Sequence, residues 1–383
     1  MPERICRFVV LTAACATLLF GQRLLAATYV VGPSTCNSTR VHYSTIQAAV
    51  SSVPAGSTIF VCPGTYPEQV VITQPLTLEG VTDGTGNAAV ITVPAGGLVQ
   101  NGTISTLGPV AVQLLVQNTV LVTIQNLTID GTGAGCVAGA NRVFGIEFSN
   151  VGMSVDGVSG GKIEDVVVRN LLDTCTFTDG IEIDQSYVTI TNNEVHDIDI
   201  TPIGSTGGQV SITNNTIQNA LNGIVVASST APNVVSNNTV ANLGPSVGFT
   251  LPVGYWLDAG VATIKSNVLS HAPGGYGVYT APSYEGTTIS ENKVSDTYVG
   301  LYVDTVTANT VFQSNTISKT TYAIADLSTG GGNNITKNTV NEAAYGIYET
   351  TPVTDTLTPN TYYNTIVTID PNPFTNPGGY TPY

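Results

Sequence analysis

Acidic side chains are concentrated in residues 147–199, which hold 11 of the 26 Asp and Glu residues. Two phrases in this stretch resemble each other, "GIEFS" at 145–149 and "GIEID" at 180–184. Because successive side chains of a strand point to opposite faces, the isoleucines should point inward and Glu147, Glu182 and Asp184 outward. Carboxylates stacked on neighbouring strands repel each other. The pattern therefore predicts a raised pKa or a bound cation, and Ca²⁺ prefers such oxygen ligands.

Three of the chain's 11 basic residues, Arg142, Lys162 and Arg169, lie in the same region. A Ca²⁺-assisted lyase needs a metal on the uronate carboxylate and a basic residue that abstracts a proton. A retaining glycoside hydrolase instead needs two carboxylates about 5–5.5 Å apart, which this stack also permits. The candidate catalytic residues are Glu147, Glu182, Asp184, Arg142 and Arg169, and the three acidic residues are the candidate Ca²⁺ ligands. The alternative interpretation is that all of them are solvated surface charges.

Aromatic residues form a second pattern. The outward position after each "GI"-like phrase is Glu147, Glu182, Val225, Trp256, Tyr279, Tyr302, Ala325 and Tyr348. Exposed rings at strand spacing would form a platform on which sugar rings stack, so Trp256, Tyr279, Tyr302 and Tyr348 are candidate carbohydrate-binding residues. The gap at Ala325 would leave room for a substituent. The alternative is aromatic packing that only stabilises the sheet.

A repeat of 22 to 29 residues positions these side chains. It is anchored on Asn193, Asn215, Asn238, Asn267, Asn292, Asn315, Asn338 and Asn360. Each copy contains short alternating runs rich in Val, Ile and Thr, broken by Gly, Asn, Ser and Pro, which predicts strands and turns without long helices. Such units must stack to bury their apolar faces. We expect each anchor asparagine to turn a corner in the left-handed conformation and to hydrogen bond along the stack.

These repeats resemble right-handed parallel β-helix proteins of the pectin-lyase-like superfamily, and "TIQAAVSSVPAGSTIFVCPGTYPEQVVITQPLTLEG" (45–80) resembles the opening segment of such domains. The resemblance implies an all-β solenoid over nearly the whole chain and says little about function, because the architecture carries lyases, hydrolases, esterases, epimerases and non-enzymatic surface proteins. The catalytic signatures of polygalacturonases, pectate lyases and pectin methylesterases are missing. Only "TDG" at 178–180 is similar to one of them.

The predicted organisation is a signal peptide at 1–27 and one β-helix domain at 28–383. That domain has an N-terminal cap at 28–56 and a Pro/Gly-rich tail at 371–383. A helix over 44–53, started by a capping box of Ser44 and Gln47, is expected to plug the N-terminal end. Four cysteines remain after the signal peptide, and in an exported chain they predict two disulfides, Cys36–Cys62 and Cys136–Cys175.

Composition limits the partners. The net charge is −15, which disfavours nucleic acid as a partner. No run after the signal peptide is long enough to span a membrane. The sequence therefore predicts a secreted, extracellular or periplasmic monomer that binds a polysaccharide or cell-surface glycan. It leaves open whether the protein also cleaves that glycan, as a lyase or glycoside hydrolase with Ca²⁺ as the candidate cofactor. The rival hypothesis is a non-catalytic surface protein for structure or adhesion.

Overall fold

The structure is a computed structural model. It describes residues 27–36, 39–82, 84, 86–104, 107–152, 160–172, 177–227, 232–246, 248–258, 260–281, 286–304, 309–349 and 355–370. The predicted signal peptide, apart from Ala27, and the predicted tail, 371–383, lie outside these residues. Short alternating runs of β-branched residues form strands throughout, and a single helix, α1 (Ile46–Ser52), is present in the described part of the chain.

The described residues contain 32 strands. The first eleven are β1 (Thr28–Val31), β2 (Val41–Tyr43), β3 (Ser57–Val61), β4 (Gly64–Pro67), β5 (Val70–Ile72), β6 (Leu76–Gly80), β7 (Ala89–Thr92), β8 (Gly102–Ile104), β9 (Gly108–Gln117), β10 (Val122–Gln125) and β11 (Thr128–Asp130). The next eleven are β12 (Arg142–Ser149), β13 (Gly161–Glu164), β14 (Val167–Leu171), β15 (Phe177–Thr191), β16 (Glu194–Ile198), β17 (Thr201–Thr213), β18 (Thr216–Ala220), β19 (Asn222–Ala227), β20 (Asn233–Ser236), β21 (Thr239–Leu243) and β22 (Val253–Asp258). The last ten are β23 (Ala262–Lys265), β24 (Val268–Thr280), β25 (Thr288–Ser290), β26 (Lys293–Val303), β27 (Val311–Gln313), β28 (Thr316–Asp326), β29 (Asn334–Thr336), β30 (Thr339–Glu349), β31 (Thr361–Tyr363) and β32 (Val367–Asp370).

The strands stack in parallel register, one turn of the chain upon the next, and form three long faces. One face begins with β3, β6, β10 and β13, and a second with β4, β7, β11 and β14. The third, which we call the site face, contains β5, β9, β12, β19, β22, β32 and parts of β15, β17, β24, β26, β28 and β30. Long strands bend from one face to the next. The predicted solenoid is confirmed.

The interior of the coil is one continuous apolar core of stacked Ile, Val and Leu side chains. A ladder of asparagines runs along it. Each of the first seven predicted residues, from Asn193 to Asn338, donates its side-chain amide to the Oδ1 of the next, over 2.9–3.1 Å, and the ladder ends at the eighth, Asn360. The predicted line of asparagines is therefore confirmed.

The conformation predicted for the ladder residues is wrong. The left-handed conformation belongs to the residue before the ladder position, for example Asn192, Asn214 and Asn237, with φ of 57–59°. Because that neighbour turns the corner, the ladder residue can point its side chain into the coil. There its amide also donates to a backbone carbonyl, as Asn215 does to Ile190.

The N-terminal end is closed by α1, which packs Ile46, Ala49 and Val50 against the first strands. Its cap differs from the prediction. Thr45, not Ser44, accepts the hydrogen bond from Ala48 N. The Glu68 carboxylate accepts hydrogen bonds from the backbone N–H groups of Ile46 and Gln47 in the first turn of α1, so no capping box forms.

Cys36 and Cys62 form a disulfide that joins the loop after β1 to the end of β3, as predicted. Cys136 is disulfide-bonded as well, but Cys175 lies outside the described residues, so that pairing stays a prediction. No helix within the described ranges is long and apolar enough to cross a membrane.

Candidate functional site

Outward residues of the site face stand in one continuous register, which we call the central column. It runs through Val71, Leu115, Glu147, Glu182, Gly204, Val225, Trp256, Tyr279, Tyr302, Ala325 and Tyr348. The predicted order of outward positions is confirmed with one addition. Gly204 stands between Glu182 and Val225, in a turn whose phrase "PIGS" lacks the leading glycine used to align the others.

Glu147 and Glu182 are stacked on adjacent strands as expected, and Asp184 follows Glu182 on the same strand. All three are buried, with exposures of 0%, 5% and 2%, so they are not solvated surface charges. The cover over Glu147 is the hairpin of β8 and β9, where Gly102 lies against its Oε2. A Cβ atom at this position would lie 2.9 Å from Val110 Cγ2 and 3.3 Å from Glu147 Oε2, so a side chain there would have to displace these neighbours.

The carboxyl group of Glu147 lies beneath an apolar layer. Ile104 of the hairpin packs with Val110, Val112 and Phe144 on this side of the coil. Neither Glu147 oxygen has a well-formed hydrogen bond within the described residues, although the Ser149 hydroxyl is near enough to favour the anion slightly. Burial, and next the charge of Asp184, raise its pKa from 4.5 to about 8. Glu147 is therefore neutral at neutral pH.

Burial raises the pKa of Glu182 well above its ordinary value, and the neighbouring Asp179 raises it further. Its Oε1 accepts a hydrogen bond from Thr206 Oγ1 at 3.1 Å, while no described residue hydrogen bonds to Oε2. Oε2 lies over Gly204, where a Cβ atom would overlap it. Glu182 thus directs one carboxyl oxygen into the space above Gly204.

Arg142 is the one basic candidate that the fold brings to this site. Its Nη1 lies 2.8 Å from Asp179 Oδ2, and its guanidinium stacks over the Phe177 ring at 5.3 Å from the centroid. The other Asp179 oxygen accepts a hydrogen bond from Thr201 N at 2.9 Å. This ion pair is buried, and both of its partners are held by the surrounding strands.

The other basic residues lie on different faces, so their placement beside the acidic stack was wrong. Arg169, on β14, forms an ion pair with Asp130 of β11, with Nε and Oδ2 3.0 Å apart. Lys162, on β13, pairs with Glu164 of the same strand. Proximity in sequence misled here because the chain crosses two corners between β12 and β14.

The geometry gives the Ca²⁺ prediction no support. Within the described part of the chain, no three Asp, Glu, His or Cys side chains converge so that they could hold a metal ion. Burial also raises the pKa of both Glu147 and Glu182 and so disfavours their ionised forms, which Ca²⁺ prefers as ligands. Calcium at Glu147, Glu182 and Asp184 stays a prediction.

The aromatic half of the central column is buried, which contradicts the predicted exposed platform. Trp256, Tyr279, Tyr302 and Tyr348 are only 2–7% exposed. A flanking column, three residues earlier on each strand, contributes further rings that pack against them, namely Tyr276, Tyr322 and Tyr345. Tyr279 stacks on Tyr302 with centroids 4.9 Å apart, and Trp256 meets Tyr279 edge-on at 6.1 Å.

The gap at Ala325 is filled. Ala325 has no exposed surface and belongs to the same cluster as Tyr302, Tyr322 and Tyr348. It offers no room for a sugar substituent. Beyond Trp256, the column therefore agrees with the alternative interpretation, in which the rings pack on one another and stabilise the sheet.

A cleft opens where the column changes from acidic to aromatic. Its volume is about 170 Å³. Its floor is Gly204, Val225 and Ala227, small residues between two larger neighbours. Glu182 and Asp179 stand at one end, Trp256 and Asp258 at the other, and Leu107 of the hairpin lies beside them. Burial raises the pKa of Asp258.

The cleft joins the two patterns found in the sequence, because Glu182, Arg142 and Trp256 all line it. It excludes Arg169 and the three tyrosines. Asp179 and Asp258 were missed. The first lies in the quoted "TDG" and the second directly follows "GYWL", so each was close to a recognised motif, but nothing in the sequence alone marked its side chain as facing a cavity.

Two family models match the chain. One, described as "Right handed beta helix region", covers residues 110–251, and the other, "Periplasmic copper-binding protein (NosD)", covers 253–371. No curated protein sequence matches. Taken with the observed stacking, these matches define the class: the chain is a right-handed parallel β-helix protein.

Copper does not fit the residues of the NosD-like segment. Copper sites in proteins use imidazole, thiolate and thioether ligands. Residues 253–371 contain one histidine, His271, and neither Cys nor Met. A single imidazole, whose Nδ1 lies 2.6 Å from Asp296 Oδ2, does not provide the set of ligands that a copper site needs. We derive no chemistry from copper.

Solved structures show the same fold at low identity. A GH136 lacto-N-biosidase from Eubacterium ramulus is 14% identical, with a TM-score of 0.52 over 89% of this chain and 67% of its own. The A-module of the Azotobacter vinelandii mannuronan C-5 epimerase AlgE6 is 17% identical, with a TM-score of 0.52 over 84% of this chain and 94% of its own. At these identities the likeness concerns the fold alone.

Proposed function

We propose that this protein binds a polysaccharide or cell-surface glycan at the cleft between Glu182 and Trp256. The observation that carries the proposal is the composition of that cleft: an aromatic side chain, carboxyl groups, hydroxyl groups and an amide converge on one depression of the described surface. Binding sites for small ligands typically combine an apolar surface with a few convergent polar groups in this way. The named activities of the structures with the same fold, a lacto-N-biosidase and an alginate epimerase module, fit a carbohydrate ligand.

The size of the cleft favours one sugar unit of a longer chain. Ligand pockets for drug-sized molecules measure roughly 300–1,000 Å³, whereas this cleft measures about 170 Å³. From Glu182 to Trp256 there are three strand steps, about 14 Å at roughly 4.8 Å per step. A glycan lying along the column would place one ring in the cleft against Trp256, and its neighbours would extend over the surface.

Tryptophan fluorescence provides the test, since Trp256 is the chain's only tryptophan. We expect a ligand from a panel of neutral and acidic oligosaccharides to shift its emission and to raise the melting temperature by linkage. Trp256→Ala should weaken binding, as measured by calorimetry, and the exposed Thr316→Ala should not. If saturating oligosaccharides of every class leave both emission and melting temperature unchanged, the proposal is wrong.

Cleavage by hydrolysis is the second candidate function, and Glu182 is the observation that favours it. A carboxyl group whose pKa is raised by burial can act as a general acid, and Asp179, on the same strand, is a second carboxyl group near it. A lyase is less well supported because the only basic residue of the cleft is tied to Asp179.

Hydrolysis and elimination leave different products. We expect new reducing ends without the absorbance of unsaturated products, and Glu182→Gln should abolish cleavage while binding persists. Binding without any cleavage by the parent protein would instead favour the surface or adhesion protein considered from the sequence. Unsaturated products would show that the protein is a lyase.

An oxidising location outside the cytoplasm completes the proposal. Disulfides are typical of exported proteins, and Cys36–Cys62 is one. A signal peptide at 1–27 would deliver the chain there. Mass spectrometry of the mature protein should find an N-terminus at residue 28, and a retained Met1 would contradict this.

A further inference from the structure

We infer that the cleft accepts a sugar unit without a carboxylate and rejects uronates. This inference names the ligand class of the site proposed above and rests on that proposal. It concerns a choice that the fold leaves open, since β-helix proteins act on very different glycans. Three features of the cleft support this inference: its cation is paired, carboxyl groups stand at both of its ends, and an amide oxygen in it accepts no hydrogen bond.

The cation of the cleft is already neutralised. Arg142 is the only positively charged side chain among the described residues that line it. Its guanidinium is held by Asp179 at 2.8 Å and by the Phe177 ring. Recognition of a carboxylate usually needs an arginine fork that can bind it directly. Here one arm of that fork, Nη1, is held by a carboxylate of the protein itself, which also neutralises the charge of the guanidinium.

Carboxyl groups stand at both ends of the cleft. Glu182 closes one end and Asp258 the other, with Gly204 and Val225 between them. A uronate carboxylate in this space would lose its hydration, and no unpaired cation among the described lining residues is available to offset that cost. The chain's net charge of −15 adds a repulsive field for any polyanion that approaches.

An amide oxygen that lacks a partner suits a hydroxyl group. Asn222 lines the cleft with a side chain 1% exposed, and its Oδ1 accepts no hydrogen bond from the described residues. A buried oxygen without a partner is unfavourable, and a ligand that donates a hydrogen bond removes that cost. Sugar hydroxyls donate, whereas a carboxylate only accepts. The hydroxyl of a neutral sugar therefore satisfies this atom and a uronate carboxylate does not.

Carboxyl-reduced oligosaccharides allow a direct test. Oligogalacturonates and oligomannuronates are compared with the same oligomers after their COO⁻ groups have been reduced to CH₂OH, so that each pair differs only at that position. Calorimetry with the full-length mature protein should show that a reduced oligomer binds at least tenfold more tightly than its uronate parent, with or without Ca²⁺. Equal or tighter binding of the uronate, in either buffer, would overturn the inference while leaving glycan binding intact.

Asp179→Asn tests whether the Arg142–Asp179 ion pair causes this preference. The variant releases Arg142 and keeps an oxygen for Thr201 N. Uronate affinity should therefore rise tenfold or more, and the difference in affinity between a reduced oligomer and its uronate parent should become smaller. Asp130→Asn releases Arg169 by the same chemistry on another face and should leave the preference unchanged. An unchanged preference in a folded Asp179→Asn variant would overturn the role of the ion pair. If neither member of any pair nor any neutral glycan binds, the proposed function fails, and this inference fails with it.

Discussion

The two halves of the site face share one strand register but carry different kinds of outward side chain. From β12 to β19 the central column and the positions two residues further along each strand carry acidic, hydroxyl and small side chains, covered in part by the β8 hairpin. From β22 to β30 they carry aromatic rings that bury one another. Both halves exclude water, the first by a covering segment and the second by the volume of its own side chains. The cleft lies at the boundary, where the volume of the side chains falls at Gly204 and Val225.

This difference explains why a column of rings is not by itself a binding platform. Parallel strands are spaced by roughly 4.8 Å, close enough for rings on adjacent strands to pack together. Rings in two neighbouring columns leave no free surface, as the stacked pairs Tyr279–Tyr302 and Tyr322–Tyr345 show. A binding surface arises only where the packing is interrupted, so Trp256 at the end of the cluster keeps one side toward the cleft.

Truncation of the rings should give the largest effect. Tyr302→Ala and Trp256→Ala each remove a buried aromatic side chain, and we expect a loss of about 3–5 kcal/mol in the free energy of unfolding. Only Trp256→Ala should also weaken glycan binding, because only Trp256 lines the cleft. Chemical denaturation and calorimetry separate the two effects. A loss of less than about 1 kcal/mol in the free energy of unfolding of Tyr302→Ala would indicate that the rings are exposed, and would contradict the difference drawn between the two halves of the site face.

Glu147→Gln should give the next largest effect, and one that depends on pH. The folded pKa is about 8, against an ordinary value of 4.5, so the unfolded chain releases its proton first as pH rises. Stability should therefore fall between pH 4.5 and 8, by roughly 3 kcal/mol at pH 7 at about 1.4 kcal/mol per pH unit. The variant removes this contribution, while Glu182 retains its own. The matched change at the exposed Glu194 should leave the pH profile of unfolding unchanged.

Gly204→Ala should act on binding more than on stability. The added methyl group would overlap Glu182 Oε2 and push that side chain from the cleft floor. We expect glycan affinity to fall about tenfold, equivalent to about 1.4 kcal/mol. Gly244→Ala is the control, since a Cβ there meets no atom within 4 Å. Unchanged affinity in Gly204→Ala would mean that the ligand lies elsewhere.

Arg169→Ala should give the smallest effect. Its ion pair with Asp130 is partly exposed to solvent, and such pairs contribute about 0–1 kcal/mol. Binding and any cleavage should be unaffected because Arg169 lies on a different face. A large loss of cleavage in this variant would restore the catalytic role first predicted from the sequence and overturn the cleft as the active site.

Periodic features were predictable from the sequence. The eight ladder asparagines and the pairing of Glu147 with Glu182 follow from counting, because each turn of the coil repeats the same hydrogen-bonding requirement. A side chain's column depends only on its distance from the anchor of its own turn. The copy containing Gly204 was overlooked because its phrase lacks the leading glycine.

Exposure was not predictable, because it depends on what covers a position rather than on the position itself. Glu147 is buried by Gly102 and Ile104, which belong to a hairpin about 40 residues earlier in the chain. Ala325 is buried by rings from neighbouring turns. Alternation along a strand distinguishes inward from outward, but outward is not the same as exposed.

The sequence alone determined the coil, its period, the asparagine ladder, the Cys36–Cys62 bridge and the order of residues along each column. All of these rest on local propensity and on a repeat that every turn obeys. Tertiary structure alone decided which carboxyl groups have a raised pKa, which arginine joins them and where a cleft opens. The reason is that burial, ion pairing and free volume depend on side chains from several turns at once, including the hairpin that departs from the repeat.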